Sequence, residues 1–448
     1  MTRPFDSPLA PVLRATVSPR TGTRSEARAR ARSMVDAMSR DARGDLHLAA
    51  ALGDAVAVTR ALEADPAGAA RAGGPFQWDP LTHLCFSVLL DGPDADGGDF
   101  VGAAEALLAA GASANTGFRD PKAEPGQDFR SALYGASCLG RHLGLTNALL
   151  AHGADPNDPE VAYHLAEGYD NRVLEAVVAH GRCTPSTLAT LLRRKCDWHD
   201  VRGVHWLLAH GADPRVPTAW PGTTLLHALE RDCSVEIVQS LLDAGADPLA
   251  LEPEDLSPVA YAARCGRGDV LDAMARRGIP LRLTGVDALL AACARGHGPA
   301  VRTIANTMPA AVDELEGMAG AVLVRFAGNA NSAGIRLLLE IGLPVDARHR
   351  EGVRYHDYAP MSTALHAAAW RGHPAVVRAL LAGGADPNAI DAADRTPLQL
   401  AVRACVDSHW TDRRSPESVE ALLAAGARVV GIAQPCGYDA VDALLSGR

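Results

Sequence analysis

The sequence predicts an all-α solenoid of about eleven helix–turn–helix units joined by short hairpin turns. Three observations predict it. Gly-Ala-Asp-Pro occurs four times, beginning at Gly153, Gly211, Gly245 and Gly384, each time behind an apolar stretch of helical spacing. Weaker versions of the turn begin at Gly111, Gly181, Gly278, Gly342 and Gly426, and the successive turns at Gly181, Gly211, Gly245 and Gly278 are separated by 30, 34 and 33 residues. A fixed period of this size marks stacked repeats, in which one unit cannot cover its own apolar faces and neighbours do so instead. Third, hydrophobic residues make up 48% of the 448 residues while aromatics make up only 4%. Ala, Leu and Val therefore fill the space between closely packed helices.

The elements follow in chain order. Residues 1–23 carry Pro, Arg, Ser and Thr without a period, and we expect them to be disordered. Residues 24–42 (RSEARARARSMVDAMSRDA) can form a helix, read as a basic tail or an N-terminal cap rather than a transit peptide; residues 1–43 form the tail and 44–440 the solenoid. Helix pairs are expected to start near Asp45, Pro80, Ser131, Val161, Thr187, Thr224, Ser257, Ala288, Gly320, Thr363 and Thr396. Thr or Ser opens many of them as an N-cap, and Pro fits the first turn. The second helix of a pair carries apolar residues at helical spacing, such as Val376, Val377, Leu380 and Leu381, and the glycine behind it can end the helix in the left-handed conformation. A last helix over 438–446 (YDAVDALLS), within a capping segment 438–448, would close the C-terminal end. Segments 157–185, 282–310 and 316–341 depart most from the pattern.

Residues 363–391 (TALHAAAWRGHPAVVRALLAGGADPNAID) resemble the ankyrin repeat almost throughout, with Ala364 where the family usually has Pro. Further copies lie at 223–249, 396–427 and 45–62, and the resemblance covers about residues 44–440. It implies a helix–turn–helix stack with a binding role and no reaction. It also implies that His47, His227 and His366 hydrogen-bond the backbone between repeats. His83 is shifted by one place from that slot, which leaves its role open.

Four insertions interrupt the period. Segments 91–99 and 406–416 lie within helix pairs, and 116–130 and 345–360 lengthen the hairpin between pairs. Insertions of this kind map to loops and often to a binding face; the one at 345–360 carries Tyr355, His356 and Tyr358. Counting seven to eight places beyond the start of each first helix gives positions that face the groove of an ankyrin stack. They hold Phe86, Arg193, Arg194, Arg231, Arg264, Arg295, Phe326, Trp370, Arg371 and Arg403. Arg and large aromatics are the residues that anchor interfaces. The expected partner-binding set is therefore Arg193, Arg231, Arg264, Arg295, Phe326, Tyr355, Tyr358, Trp370, Arg371 and Arg403. Trp370 and Arg403 are expected to project into the groove without filling a core.

Net charge is −10, which argues against general binding to nucleic acid or anionic membranes. Only Lys122 and Lys195 are lysines, so the basic residues are almost all Arg, as in the proteins of a GC-rich, bacterial genome. No run of 18 or more apolar residues is present and the N-terminus lacks an apolar signal core; the cytoplasm is the simplest compartment. The nine cysteines form no CxxC pair and read as small buried hydrophobes. His349, His356 and Asp357 match no zinc spacing. No Gly-x-Ser-x-Gly, HExxH or GxxxxGK[ST] motif occurs. The sequence thus points to a non-catalytic protein–protein scaffold or inhibitor, with no cofactor and no metal. Its partner would be another protein that presents carboxylates, because guanidinium pairs bidentately with them. In a bacterium it could be an immunity protein or a host-directed effector. The alternative is nucleic-acid or anionic-ligand binding through the Arg row, with the aromatics stacking on bases.

Overall fold

The computed structural model describes residues 10–16, 24–37, 44–90, 98–123, 128–251, 256–352, 356–408 and 413–446. Tyr355 lies outside them, as does most of the 91–99 insertion. The chain divides into two compact units, Met1–Thr224 and Leu225–Arg448.

Helices stand at or near every expected start, from Leu46–Leu52 through Pro397–Asp407, and Asp439–Ser446 closes the C-terminal end. First helices stack on first helices and second helices on second: Leu46–Leu52 against Pro80–Cys85, Ala319–Gly328 against Ala364–Trp370, and Ala364–Trp370 against Pro397–Asp407. In Ala364–Trp370 (ALHAAAW) every side chain is buried. A helix apolar all round is one covered on all sides. The second helix Pro374–Ala382 buries only one stripe, Val376, Val377 and Leu380. Leu381, one step round the helix, is half-buried.

The nine turn glycines all adopt positive φ, between 72° and 102°. At Gly111, Gly153, Gly211 and Gly384 an added Cβ would meet nothing within 4 Å. The requirement there is the left-handed backbone and not space. Successive hairpins are stitched by side chains: Asn115 Nδ2 donates to Gly153 O (3.0 Å) and its Oδ1 accepts from Asp155 N (2.7 Å). Asn388 does the same with Gly426 O (3.1 Å) and Arg428 N (2.9 Å).

The structure corrects three expectations. Within the tail expected to be disordered, Ala10–Thr16 is helical; Val12 and Leu13 pack on Leu48 and Ala51, with Met34 and Val35 of the helix Arg24–Asp36 joining them. These apolar positions carry no period because only two of them are needed to seat one turn of helix. The insertion 116–130 contains a two-stranded antiparallel hairpin, Gly117–Arg119 with Phe129–Ser131, in register Phe118 opposite Arg130. Finally, an additional helix, Pro309–Gly317, stands between Gly298–Thr307 and Ala319–Gly328. Beyond it, Asn329 Nδ2 donates to Cys265 O (3.1 Å), and Asn331 Nδ2 donates to Gly266 O and Ala294 O (both 2.7 Å). The irregular register of 282–341 comes from this insertion and its backbone bridges.

Candidate functional site

The groove row of the second unit is built on the C-terminal ends of its first helices, and the 345–360 insertion folds over it. The insertion is closed at its base, where His349 N donates to Ser362 O (2.9 Å) and Met361 N donates to His349 O (2.6 Å). Its far end delivers three side chains. His356 Nε2 lies 3.3 Å from Asp232 Oδ2, and Arg371 NH2 lies 3.3 Å from the same oxygen. Arg371 NH1 is 3.1 Å from His356 Nδ1. A guanidinium only donates, so Nδ1 accepts and Nε2 carries the proton toward Asp232. Burial, opposed by Asp232 and reinforced by Arg371 and Arg231, brings the His356 pKa down to about 4. The ring is neutral at pH 7.

Tyr358 is 5% exposed. Its hydroxyl sits over Gly328, where a Cβ would come within 2.6 Å of it. A partly open cavity of about 160 Å³ remains beside the insertion, lined by Asp232, Tyr261, Arg325, His356 and Tyr358 among others. Asp357, on the outer side, accepts from Arg403 NH1 (2.7 Å), while its carbonyl accepts from Arg395 NH2 (3.2 Å). The Arg403 guanidinium lies over the Trp370 ring at 4.7 Å.

Exposure within the expected set is therefore overturned for five residues. Phe326 is 0% exposed, Trp370 6%, Arg371 4%, Tyr358 5% and Arg193 6%. Arg193 donates to Gly222 O (2.6 Å) and Pro221 O (2.9 Å), fixing its own hairpin. Phe326 fills the space left by Gly266 and Gly334. Arg231 is intermediate in exposure, and its positive charge helps to lower the pKa of the neighbouring His356. Three members stay accessible. Arg264 makes a two-pronged pair with Asp287 (2.6 and 3.2 Å), Arg295 pairs with Asp272 (2.6 Å), and the Arg403 side chain is 42% exposed.

The first unit carries an aromatic group that spacing did not reveal. Tyr163 projects from Pro159–His164, Arg194 from Pro185–Asp197, and Trp220 from the following hairpin. The Arg194 guanidinium lies 3.9 Å over the Tyr163 ring, and Trp220 stands 5.6 Å from it, 37% exposed. Arg194 also pairs with Asp197 and with Glu167 at 3.6 Å. Nearby turns place Tyr169 (67% exposed) edge-on to Trp198 (36%), ring centroids 6.3 Å apart. Tyr163 lies in 157–185, one of the three segments that depart most from the pattern, so counting from a Thr could not reach it.

The histidine slot behaves as the resemblance implies at two places: His47 Nε2 is 2.9 Å from Arg71 O and His366 Nε2 is 3.0 Å from Arg395 O. His366 Nδ1 also takes part in a capping box with Thr363. All nine cysteines are free thiols, six of them buried; burial pushes Cys138 and Cys293 up to about 12. Among the described residues no group of three His, Cys, Asp or Glu side chains could hold a metal ion, and no helix is long and apolar enough to cross a membrane.

Stacked helix pairs, left-handed glycine turns and Asn-stitched hairpins define a helical-repeat module of the kind that generally mediates protein–protein interaction. Residues 338–401 match the family model of ankyrin repeats (many copies). That segment of the chain is therefore similar to ankyrin repeats. It is 33% identical over 151 residues to the human ankyrin repeat domain-containing protein 63 and 37% identical over 151 residues to the mouse protein of the same name. Each match covers 32% of this chain, and 39% and 38% of those relatives' length. Among solved structures it resembles the human ASB11 ankyrin repeat domain (20% identity, TM-score 0.23, 53% of this chain and 98% of that one). It also resembles the ankyrin repeat domain of Bcl-3 (21%, 0.21, 54% and 98%).

Proposed function

We propose that the protein is a non-catalytic scaffold or inhibitor that binds another protein through partly exposed aromatic and Arg side chains on its first helices and the hairpins beside them. The observation that carries this reading is the Tyr163–Arg194–Trp220 group, which combines the residue types that dominate interface hot spots in a half-exposed setting. In the second unit, Arg264, Arg295 and Arg403 would offer guanidinium groups to a carboxylate-bearing partner. Each is already paired with an aspartate of its own chain. A partner carboxylate would replace one that is present, so these arginines would steer association and register more than they add net affinity. Nine free thiols suit a reducing compartment such as the cytoplasm.

The test compares wild type with Tyr163→Ala/Trp220→Ala by crosslinking in extracts of the native host followed by mass spectrometry. The double variant, folded by circular dichroism, should lose a partner held by wild type, at about 2 kcal/mol or more for an anchor pair. Crosslinks from that partner should fall on the 159–222 segment. Equal recovery of every partner by both proteins would refute the reading.

A further inference from the structure

The segments of the first unit that depart from the repeat pattern meet at one cleft. The N-terminal helices Ala10–Thr16 and Arg24–Asp36, the turn bearing Phe76 and Trp78, and the hairpin Gly117–Arg119/Phe129–Ser131 line a cavity of about 750 Å³. That is within the range of small-molecule sites, roughly 300–1,000 Å³. Its floor is aromatic. Trp78 is stacked between Phe76 (4.7 Å) and Phe118 (4.2 Å), and Phe86 meets Phe118 edge-on at 4.9 Å. Both faces of the indole are taken, so the floor presents ring edges and apolar surface and offers no open stacking platform.

The rim is cationic in a chain of net charge −10. Four arginines line the cavity, against one carboxylate, Asp120. Arg119 is held by Asp128 (2.9 Å to each oxygen) and Arg130 by Glu160 (2.8 Å). Asp120 accepts from Lys122 N (3.0 Å). Arg14 and Arg30, both exposed, face no carboxylate among the described residues. An apolar bowl with two exposed guanidinium groups at its mouth, without a carboxylate partner among the described residues, is complementary to one chemistry.

We infer that this cleft binds a small organic anion: a carboxylate carried on an apolar body of about cavity size. The apolar body displaces water from the aromatic floor, and the carboxylate takes charge-assisted hydrogen bonds from Arg14 and Arg30. This site is separate from the Tyr163–Trp220 surface, so either can fail without the other.

Isothermal titration of the full chain with 2-naphthoate and with decanoate tests it. At least one acid should bind once per chain with a Kd below about 1 mM; naphthoate the tighter points to a flat ligand, decanoate to an extended one. Arg14→Glu/Arg30→Glu should weaken that acid about tenfold or more, while leaving binding of the neutral 2-naphthalenemethanol unchanged. Should the reversal lower the melting temperature, Arg14→Gln/Arg30→Gln should show the same selective loss. Binding by neither acid overturns the inference. So does equal acid affinity in wild type and in a folded Arg variant, or an acid no tighter than the neutral alcohol.

Discussion

Phe326 is the residue at which an interface anchor and a core residue make opposite demands. Its side chain is 0% exposed. Cβ atoms placed at Gly266 and Gly334 would lie 2.6 and 2.7 Å from its ring carbons. Phe326→Ala should cost about 3–5 kcal/mol, the usual range for emptying a Phe site. Gly334→Ala should be costly for the reverse reason. Carbon atoms prefer separations of about 3.5–4.0 Å, so a methyl at 2.7 Å overlaps the ring by roughly 1 Å. Overpacking of that size costs about 1–3 kcal/mol, offset by about 1 kcal/mol of helix propensity. In the Phe326→Ala background the ring is absent and the methyl enters the cavity, so the propensity gain remains and Gly334→Ala becomes neutral or stabilising. The same methyl lies 2.9 Å from Asn331 Oδ1 in both backgrounds, and that cost cancels in the cycle. Urea denaturation of the four proteins by circular dichroism should give a coupling of about 1–3 kcal/mol. Additivity within about 0.5 kcal/mol, or a Phe326→Ala cost under about 1 kcal/mol, would refute the packing described.

Three further outcomes follow from the same reasoning. Trp370→Ala should cost about 3–5 kcal/mol in urea titrations, because the ring is buried under Arg403 and does not stand free in a groove. Lys195 is fully buried, donating to Asp200 (2.9 Å) and Gly168 O (2.8 Å). Lys195→Met should cost about 3–5 kcal/mol because it strands the Asp200 carboxylate, and Lys195→Met/Asp200→Asn should recover part of that loss. His83, His356, His366 and His373 are each held down to about 4, chiefly by burial. Their folded pKa values lie below the unfolded value of about 6.5, so the unfolded chain binds more protons in that window. Stability is then full above about pH 6.5 and falls as pH drops toward 4. The melting temperature should decline over that interval, and less steeply in His356→Gln; a flat profile would contradict neutral burial.

Much of the fold was legible because its signals are local. Nine glycines, each behind an apolar helical stretch, need a left-handed backbone, and a Thr or Ser before an apolar run marks a helix start, whatever the rest of the chain does. The candidate groove was less legible for two physical reasons. Consecutive helical residues point about 100° apart, so a window of two positions mixes directions. Arg193 faces its own hairpin while Arg194 lies on Tyr163. The burial of Trp370, Arg371 and Tyr358 is set by an insertion that returns over the helices, and no spacing within one repeat records that return. Likewise the aromatic cleft joins the helix at 10–16 to a hairpin beginning at 117, and neither segment signals the other.

The insertion at 345–360 has a consequence for how the second unit comes apart. A repeat stack gains stability from nearest neighbours, so it melts by fraying from its ends and folds quickly through contacts close in sequence. Asp232, however, meets His356 and Arg371, which follow it by 124 and 139 residues. These long-range links raise the contact order of the unit and tie its first turn to its later repeats. Loss of the C-terminal repeats would expose the Asp232 carboxylate and the helix ends around it. The second unit should therefore melt as one cooperative block, at the expense of slower folding than a plain stack of the same length.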